Sequence, residues 1–175
     1  SSNEKTAMEE ALGMSFAGKR ALVCMKHVGL NVAADAFVNS AMTGANGGLV
    51  VVAADDPSMH SSQNEQDSRF YGKFALVPTF EPADQQEAYD MAKAAFDLSE
   101  RFRIPVLMRL TTRMAHSRAV VETGEARAEN PLSHPEQPRQ WVLMPGNSRV
   151  RYQTLLEDYA RLEEESAASP FNAYT

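Results

Sequence analysis

The feature that most constrains the fold is a short apolar run that ends abruptly in a polar segment. Residues 48–52 read Gly-Leu-Val-Val-Val, and residues 53–69 that follow are dense in carboxylates, amides and hydroxyls. A continuous apolar run, rather than an alternating one, is typical of a strand that is covered on both faces. In open α/β sheets, ligands bind beyond the carboxyl ends of such strands. The run therefore predicts a buried strand followed by a polar site.

Apolar strands and helical segments alternate about four times along the first 116 residues. Helices are predicted at about residues 3–17, 31–42, 68–73 and 81–102, and strands at 20–25, 48–52, 74–78 and 104–110. This alternation predicts an α/β fold, a parallel sheet flanked by helices on both faces. Because the series begins with a helix, we expect the sheet to lack its first strand.

The composition changes after residue 120. Residues 121–138 are rich in Glu, Pro and Ser and lack apolar periodicity, which is typical of a linker. Residues 140–145 are predicted to be a strand or extended segment, and residues 148–167 an amphipathic helix. This tail is too short for a core of its own. We therefore expect a domain at 1–120, a linker at 121–138 and the start of a following domain at 139–175.

The charge and the cysteine usage exclude several classes of protein. The formal net charge is -6 and the basic residues are scattered, which argues against a nucleic-acid partner. No apolar stretch is long enough to cross a membrane, so no membrane partner is expected. The single cysteine, Cys24, lies in the apolar run 21–25 and is predicted to be a buried thiol. A lone thiol fits a reducing compartment, so the predicted location is the cytoplasm.

Three kinds of site can be tested on local motifs. The glycines of residues 44–48 precede a strand instead of following one, unlike a dinucleotide-binding turn. The chain has no Gly-x-Ser-x-Gly element of the kind that hydrolases use. Asp55, Asp56 and His60 could meet a cation, but their spacing matches no strong ligand motif, so no metal site is predicted. The residues alone therefore predict a polar site of open identity.

Several longer motifs resemble a known family. They are Ser2-x-Glu4-Lys5, residues 25–31, residues 54–69 and residues 111–117. Together they are similar to the alpha subunits of indolepyruvate:ferredoxin oxidoreductases, which belong to the thiamine-diphosphate-dependent 2-oxoacid:ferredoxin oxidoreductases. The resemblance implies the pyrimidine-binding domain of an enzyme that decarboxylates aryl 2-oxoacids such as indolepyruvate. That enzyme would pass the electrons to ferredoxin and form an acyl-CoA.

By this resemblance, Glu4 is the catalytic glutamate. Its carboxyl group would hydrogen-bond the ring nitrogen N1′ of the cofactor's aminopyrimidine. This role requires a carboxyl group that can share a proton near neutral pH. The bare sequence favours an ordinary glutamate in the first turn of a helix, and the family resemblance reverses that preference.

By the same resemblance, Arg69 aligns with an arginine that binds the substrate carboxylate. The polar residues that follow a strand add further candidates: His27, Gly29 and Asn31 for the cofactor, and His60 for the substrate. A planar guanidinium such as that of Arg69 suits bidentate recognition of a carboxylate. Structural alternatives stay open. Arg69 could be a surface cation, and either histidine could make a purely structural hydrogen bond.

The resemblance further implies groups and partners that this chain does not itself carry. Thiamine diphosphate with Mg²⁺ would be bound by a diphosphate-binding domain of the same subunit, and iron–sulfur clusters would lie elsewhere in the parent enzyme. The implied partners are a beta subunit or equivalent domain, ferredoxin, CoA and a second copy in a homo-oligomer. Family members also carry a strand and a Gly-Tyr-Pro-Gly-type segment before the residue that matches Glu4. We therefore expect the isolated chain to be inactive. The alternative is a non-catalytic α/β interaction domain with a vestigial site.

Overall fold

The fold is built around one sheet of four parallel strands. The computed structural model describes residues 1–172, with strands β1 (Ala21–Lys26), β2 (Leu49–Asp55), β3 (Thr79–Phe80) and β4 (Val106–Thr111). The helices are α1 (Glu4–Phe16), α2 (His27–Thr43), α3 (Arg69–Ala75), α4 (Gln85–Phe102), α5 (Thr112–His116) and α6 (Pro145–Ala167). The strand order is β1-β2-β4-β3, and every pairing is parallel.

The apolar run of β2 lies at the centre of two cores. Val51 faces a cluster formed mainly with α1 and α2, whereas Val50 and Val52 pack against Met91 and Ala95 of α4 on the other face. All residues of β2 except Ala54 are buried, because helices cover both sides of the sheet. The predicted parallel α/β sheet with helices on both faces is confirmed. The absence of a first strand stays a prediction.

The edge strand β1 is covered on one face only. Its residues alternate between buried and exposed, and Leu22, Cys24 and Lys26 lie on the exposed side. The prediction that Cys24 is buried was wrong. The apolar run around it resembled a strand covered on both faces, but α4 packs on β2 and β4 and leaves this side of β1 open.

The third strand lies later in the chain than the sequence pattern predicted. The predicted strand at residues 74–78 is wrong, because Phe74 and Ala75 form the end of α3. Leu76 then adopts a left-handed conformation with φ 59°, which ends the helix. The strand that joins the sheet is Thr79–Phe80, which pairs with β4. An apolar run this short does not distinguish a strand from the last turn of a helix.

The segment at residues 117–137 contains no helix or strand and lies against α4. The Arg127 guanidinium pairs with the Asp97 carboxylate of α4, with Nη2 2.8 Å from Oδ2. Nearer the start of α4, the Gln86 side chain donates to the Glu122 carbonyl and accepts from its N–H. The contacts are mostly polar, so the segment follows the helix without adding to either core.

The last part of the described chain returns to the first core. One turn of 3₁₀ helix, Pro138–Trp141, takes up the first part of the predicted extended segment 140–145, and the Trp141 ring packs 4.2 Å from that of Phe16. In α6, Leu155 and Leu162 are buried in the same cluster as α2. The division into domains at 121–138 stays a prediction, and residues 173–175 of the predicted last region lie outside the described residues.

The polar segment after β2 is fixed at its beginning by Asp56. This buried carboxylate accepts hydrogen bonds from the Thr112 hydroxyl at 2.6 Å and from the backbone N–H groups of Ser61 at 2.8 Å and His60 at 3.2 Å. The Thr112 hydroxyl and then the Ser61 N–H hold the pKa of Asp56 well below its usual range. The negative charge of Asp56 therefore joins the start of the loop to α5.

Truncating Leu155 to alanine should destabilise the protein by about 2–4 kcal/mol, because the removed atoms are buried against α2. The matched control is Leu156→Ala at the next position, where the side chain is 40% exposed. The control should change stability by no more than about 0.5 kcal/mol. Urea unfolding followed by circular dichroism measures both. Equal effects would mean that α6 does not share the core.

Replacing Asp56 with asparagine should lower the stability at pH 7, because the hydrogen bonds from Thr112 and Ser61 then lose their charged acceptor. Because the pKa of Asp56 is lowered on folding, this contribution is complete above the unfolded-state pKa and is lost as the pH falls. The difference between the parent and Asp56→Asn should therefore shrink from about pH 5 downward. Urea unfolding between pH 7 and pH 3 measures it, with the exposed Asp35→Asn as control. A difference that grows on acidification would contradict the assignment.

Candidate functional site

Polar side chains collect at the carboxyl edge of the sheet. β1 leads directly into His27, β2 ends at Asp55, and β4 ends at Thr111. Because all the strands run in the same direction, these ends meet at one edge, together with the polar segment after β2. The structure therefore places the predicted polar site where an open α/β sheet binds its ligands.

Glu4 and Gly29 are brought into direct contact. Glu4 is the first residue of α1, after the N-cap Asn3, whose side chain accepts from the Thr6 N–H at 3.0 Å. A Cβ atom built on Gly29 would lie 2.6 Å from Glu4 Cγ and 3.0 Å from Glu4 Oε1. Only a glycine therefore allows the Glu4 side chain to lie against the first turn of α2. Among the described residues, the Glu4 carboxyl group makes no hydrogen bond or ion pair.

His27 begins α2 and is completely buried. Its Nε2 lies 3.1 Å from the Asn64 carbonyl oxygen and 3.2 Å from Asn64 Oδ1, and its Nδ1 lies 3.4 Å from the Ala54 carbonyl oxygen. Gln66 Nε2 donates to the same Asn64 Oδ1, so this amide oxygen is an acceptor. Both ring nitrogens of His27 therefore face oxygen acceptors. His27 therefore connects the middle of the polar segment to α2.

Asn31 lies one turn further along α2 and is exposed. Its Oδ1 accepts a hydrogen bond of 2.6 Å from the Tyr71 hydroxyl of α3. The structure therefore gives Asn31 a contact between two helices beside the site.

Arg69 is held by two carboxylates. Its Nε lies 2.8 Å from Asp67 Oδ1, and its Nη2 lies 2.6 Å from Asp67 Oδ2, which is a bidentate pair along one edge of the guanidinium. Nη1 makes a longer contact of 3.3 Å with Glu81 Oε2. The hydrogen bonds from Arg69 hold the pKa of Asp67 below its usual value despite partial burial. The guanidinium therefore has a defined orientation.

Arg109 is a second, buried arginine behind Arg69, and the sequence interpretation missed it. Its side chain is 8% exposed, and its Nε donates to Asp55 Oδ2 at 2.5 Å. Its Nη1 pairs with Glu81, and its Nε lies 3.7 Å from Asp67 Oδ1. The signal was present, because an arginine near the end of an otherwise apolar strand must find an anionic partner.

Asp55 completes the cluster of charged side chains. Its carboxylate accepts from the Ser68 N–H at 2.9 Å and from the Ser68 hydroxyl, besides pairing with Arg109. The polar segment is thereby fixed at its end as well as at its beginning. The central strands and the start of α3 hold Arg69 at the carboxyl edge through these contacts.

His60 is not brought into either group. Its backbone N–H contacts Asp56, but its side chain is exposed and makes no hydrogen bond among the described residues. The two residues before it, Ser58 and Met59, adopt left-handed conformations with φ 66° and 53°. These conformations turn the chain outward after Pro57.

The carboxyl edge of the sheet presents two separate functional groups, the Glu4 carboxyl group and the Arg69 guanidinium. The first group comprises Glu4, Gly29 and His27, and the second comprises Arg69 with its carboxylates. No set of three His, Cys, Asp or Glu side chains within residues 1–172 could hold a metal ion. The site is therefore suited to an organic ligand that carries a protonatable nitrogen and to an anion that a guanidinium can bind.

Known proteins with similar sequences are subunits of one kind of enzyme. The chain is 50% identical over 175 residues to the indolepyruvate oxidoreductase subunit IorA of Archaeoglobus fulgidus and 48% identical over 172 residues to that of Methanothermobacter marburgensis. The matches cover 98% and 97% of this chain but 28% of each relative. The chain thus spans little more than a quarter of the length of these curated relatives.

A solved structure has a similar fold. It is the 2-oxoglutarate:ferredoxin oxidoreductase of Magnetococcus marinus with 2-oxoglutarate, coenzyme A and succinyl-CoA bound. The TM-score is 0.65 at 13% identity, over 99% of this chain and 37% of that chain, so the likeness concerns the fold alone. Within the described residues, no helix has the length and apolar character needed to cross a bilayer.

The profile of one protein family matches almost the entire chain. Its description is pyruvate flavodoxin/ferredoxin oxidoreductase, thiamine diphosphate-binding, and the match extends over residues 1–168. With the parallel sheet and the relatives above, this match identifies the chain as a member of the thiamine-diphosphate-binding pyruvate flavodoxin/ferredoxin oxidoreductase family.

Proposed function

We propose that this chain is the pyrimidine-binding part of an oxidoreductase that decarboxylates aryl 2-oxoacids such as indolepyruvate. The complete enzyme forms an acyl-CoA and passes the electrons to ferredoxin. The relatives named as indolepyruvate oxidoreductase subunits support the choice of substrate. The observation that carries the proposal is the contact between Glu4 and Gly29 at the first turn of α2.

This contact leaves the Glu4 carboxyl group available to a ligand. The side chain is half-buried, and within residues 1–172 it makes no hydrogen bond or ion pair with the protein. A glutamate that served only α1 would not need a glycine on the neighbouring helix. Any Cβ at position 29 would displace the carboxyl group, so the pair Glu4–Gly29 acts as one unit.

These residues fit the aminopyrimidine of thiamine diphosphate. When bound, the cofactor supplies the nucleophilic carbon that attacks the 2-oxoacid. Glu4 shares a proton with the pyrimidine nitrogen N1′, which requires a carboxyl group beside the ring. Gly29, which has no Cβ, leaves the space that the Glu4 carboxyl group occupies. His27 holds the polar segment 56–68 against the same turn of α2. Asn31, joined to Tyr71, supports this side of the cofactor site.

Arg69 is the proposed ligand of the substrate carboxylate. Asp67 holds one edge of its guanidinium, so the orientation is set before any substrate arrives. His60, exposed on the same polar segment, is the proposed second contact to the substrate. The two groups of residues lie on elements that the segment 56–68 connects, which fits a substrate that reacts on the cofactor.

The activity requires parts beyond the residues of this chain. In the proposed assembly, the diphosphate and Mg²⁺ are bound by another domain of the same subunit, and iron–sulfur clusters carry the electrons to ferredoxin. A beta subunit or equivalent domain, CoA and a second copy of the subunit complete the cytoplasmic enzyme. The chain by itself supplies at most half of the cofactor site and is inactive.

Replacing Glu4 with glutamine should slow the exchange of the thiazolium C2 proton by about a hundred- to ten-thousandfold in the assembled enzyme, because the shared proton at N1′ is lost. Cofactor affinity should change little, since glutamine keeps the size and a hydrogen-bonding group. NMR of C2 deuterium exchange measures the rate. The control is Glu10→Gln, an exposed position on the same helix, which should have no effect. Equal exchange rates in Glu4→Gln and the parent would refute the catalytic assignment.

Gly29→Ala should slow the same exchange by about ten- to a hundredfold without unfolding the protein, because the new Cβ pushes the flexible Glu4 side chain away from its place. The matched control is Gly13→Ala in α1, where a Cβ meets no atom within 4 Å. That control should leave the exchange rate unchanged and stabilise the helix by up to about 1 kcal/mol. An exchange rate in Gly29→Ala like that of the parent would show that Glu4 does not act from this position.

A further inference from the structure

The hydrogen bonds of Arg69 leave part of its guanidinium available. An arginine side chain has five N–H donors. Asp67 accepts from Nε and Nη2, and Glu81 accepts from Nη1, so one donor on each terminal nitrogen has no partner among the described residues. These two nitrogens form the edge that a carboxylate binds end-on. Asp67 therefore occupies one edge, and Glu81 touches the other.

Glu81 lies between two arginines. Its Oε2 contacts Arg69 Nη1 at 3.3 Å, and its Oε1 accepts from Arg109 Nη1. The Arg109 side chain is 8% exposed, whereas Glu81 is 37% and Arg69 is 55% exposed. A carboxylate with one oxygen on each guanidinium occupies the position that an incoming anion would also prefer. The Glu81 carboxylate therefore occupies the position at which the carboxylate of a ligand would bind.

The charges of the cluster do not favour an additional anion. Arg69 and Arg109 face three carboxylates, those of Asp55, Asp67 and Glu81, so the cluster has one surplus negative charge. An incoming carboxylate must either displace one of these groups or bind against that charge.

The geometry points to Glu81 as the group that is displaced. We infer that Glu81 competes with the substrate carboxylate for Arg69 and so sets the affinity of this site for 2-oxoacids; this inference rests on the proposed function. Asp67 makes two short bonds to Arg69 and also accepts from the backbone N–H at the start of α3. Asp55 is buried and pairs with Arg109. Only the Glu81 contact with Arg69 is both long and exposed.

Release of Glu81 from Arg69 does not require it to leave the cluster. Its other oxygen keeps the contact with Arg109, so the carboxylate stays beside the site and can return when the ligand leaves. An exposed ion pair of this kind contributes little stability, so its loss is readily offset by a ligand. Asp67 meanwhile keeps the guanidinium in its orientation.

The test is Glu81→Gln, which removes the competing charge and keeps an acceptor for Arg109. Phenylpyruvate, an aryl 2-oxoacid, is titrated into the protein while the Arg69 side-chain Nε–H resonance is followed by NMR. The dissociation constant should fall about two- to fivefold, the size expected from losing an exposed ion pair. The matched control, Glu125→Gln, removes the same charge at an exposed position on the segment that lies along α4 and should not change affinity. An unchanged or weaker affinity in Glu81→Gln would overturn the inference.

Two further measurements separate this inference from the proposed function. Arg69→Gln should abolish the phenylpyruvate-dependent shifts of the backbone amide resonances around the site, and shifts that persist would place the anion elsewhere and overturn the inference. In the assembled enzyme, Glu81→Gln should lower KM with little change in kcat, because only ground-state binding is altered. If Glu81→Gln tightens binding at Arg69 while Glu4→Gln leaves C2 exchange unchanged, the proposed function fails and the competition by Glu81 stands.

Discussion

The buried ion pair between Arg109 and Asp55 is the interaction on which the rest of the site depends. It joins the carboxyl ends of the two central strands, β4 and β2, with Nε 2.5 Å from Oδ2 and both side chains excluded from solvent. Buried charges are costly to desolvate, and removing one partner of such a pair typically costs about 3–5 kcal/mol. Asp55 also accepts two hydrogen bonds from Ser68, so the pair holds the end of the polar segment as well as the strands.

The polar segment 56–68 is held against the sheet and its helices by hydrogen bonds at three positions. Asp56 binds Thr112 at its start, Asn64 meets the buried His27 in its middle, and Ser68 binds Asp55 at its end. The segment links the first turn of α2, where Gly29 contacts Glu4, to the start of α3, where Arg69 lies. The proposed cofactor contact at Glu4 and the proposed anion contact at Arg69 therefore lie on elements that this segment joins, as a reaction between two bound molecules requires.

Much of the architecture follows from local patterns. The uniform apolar run of β2 predicted a strand covered on both faces, and the alternation of strands and helices predicted the parallel sheet. The third strand and Cys24 were placed wrongly. Phe74 and Ala75 could end a helix or begin a strand, and the Cys24 run does not reveal that one face of an edge strand is left uncovered. Both outcomes depend on which elements pack together, and short-range periodicity does not report this.

The sequence by itself determined the class of fold, the place of the polar site and the residue types available for chemistry, because strand and helix periodicity and polar strand ends are local properties. Only the tertiary structure decided which of these residues meet. It placed Glu4 against Gly29 and enclosed His27 with Asn64. It also brought Arg109 of β4 and Glu81, which directly follows β3, beside Arg69 at the start of α3. The physical reason is that the packing of helices on a parallel sheet brings distant parts of the chain to one edge, where buried charges must find partners.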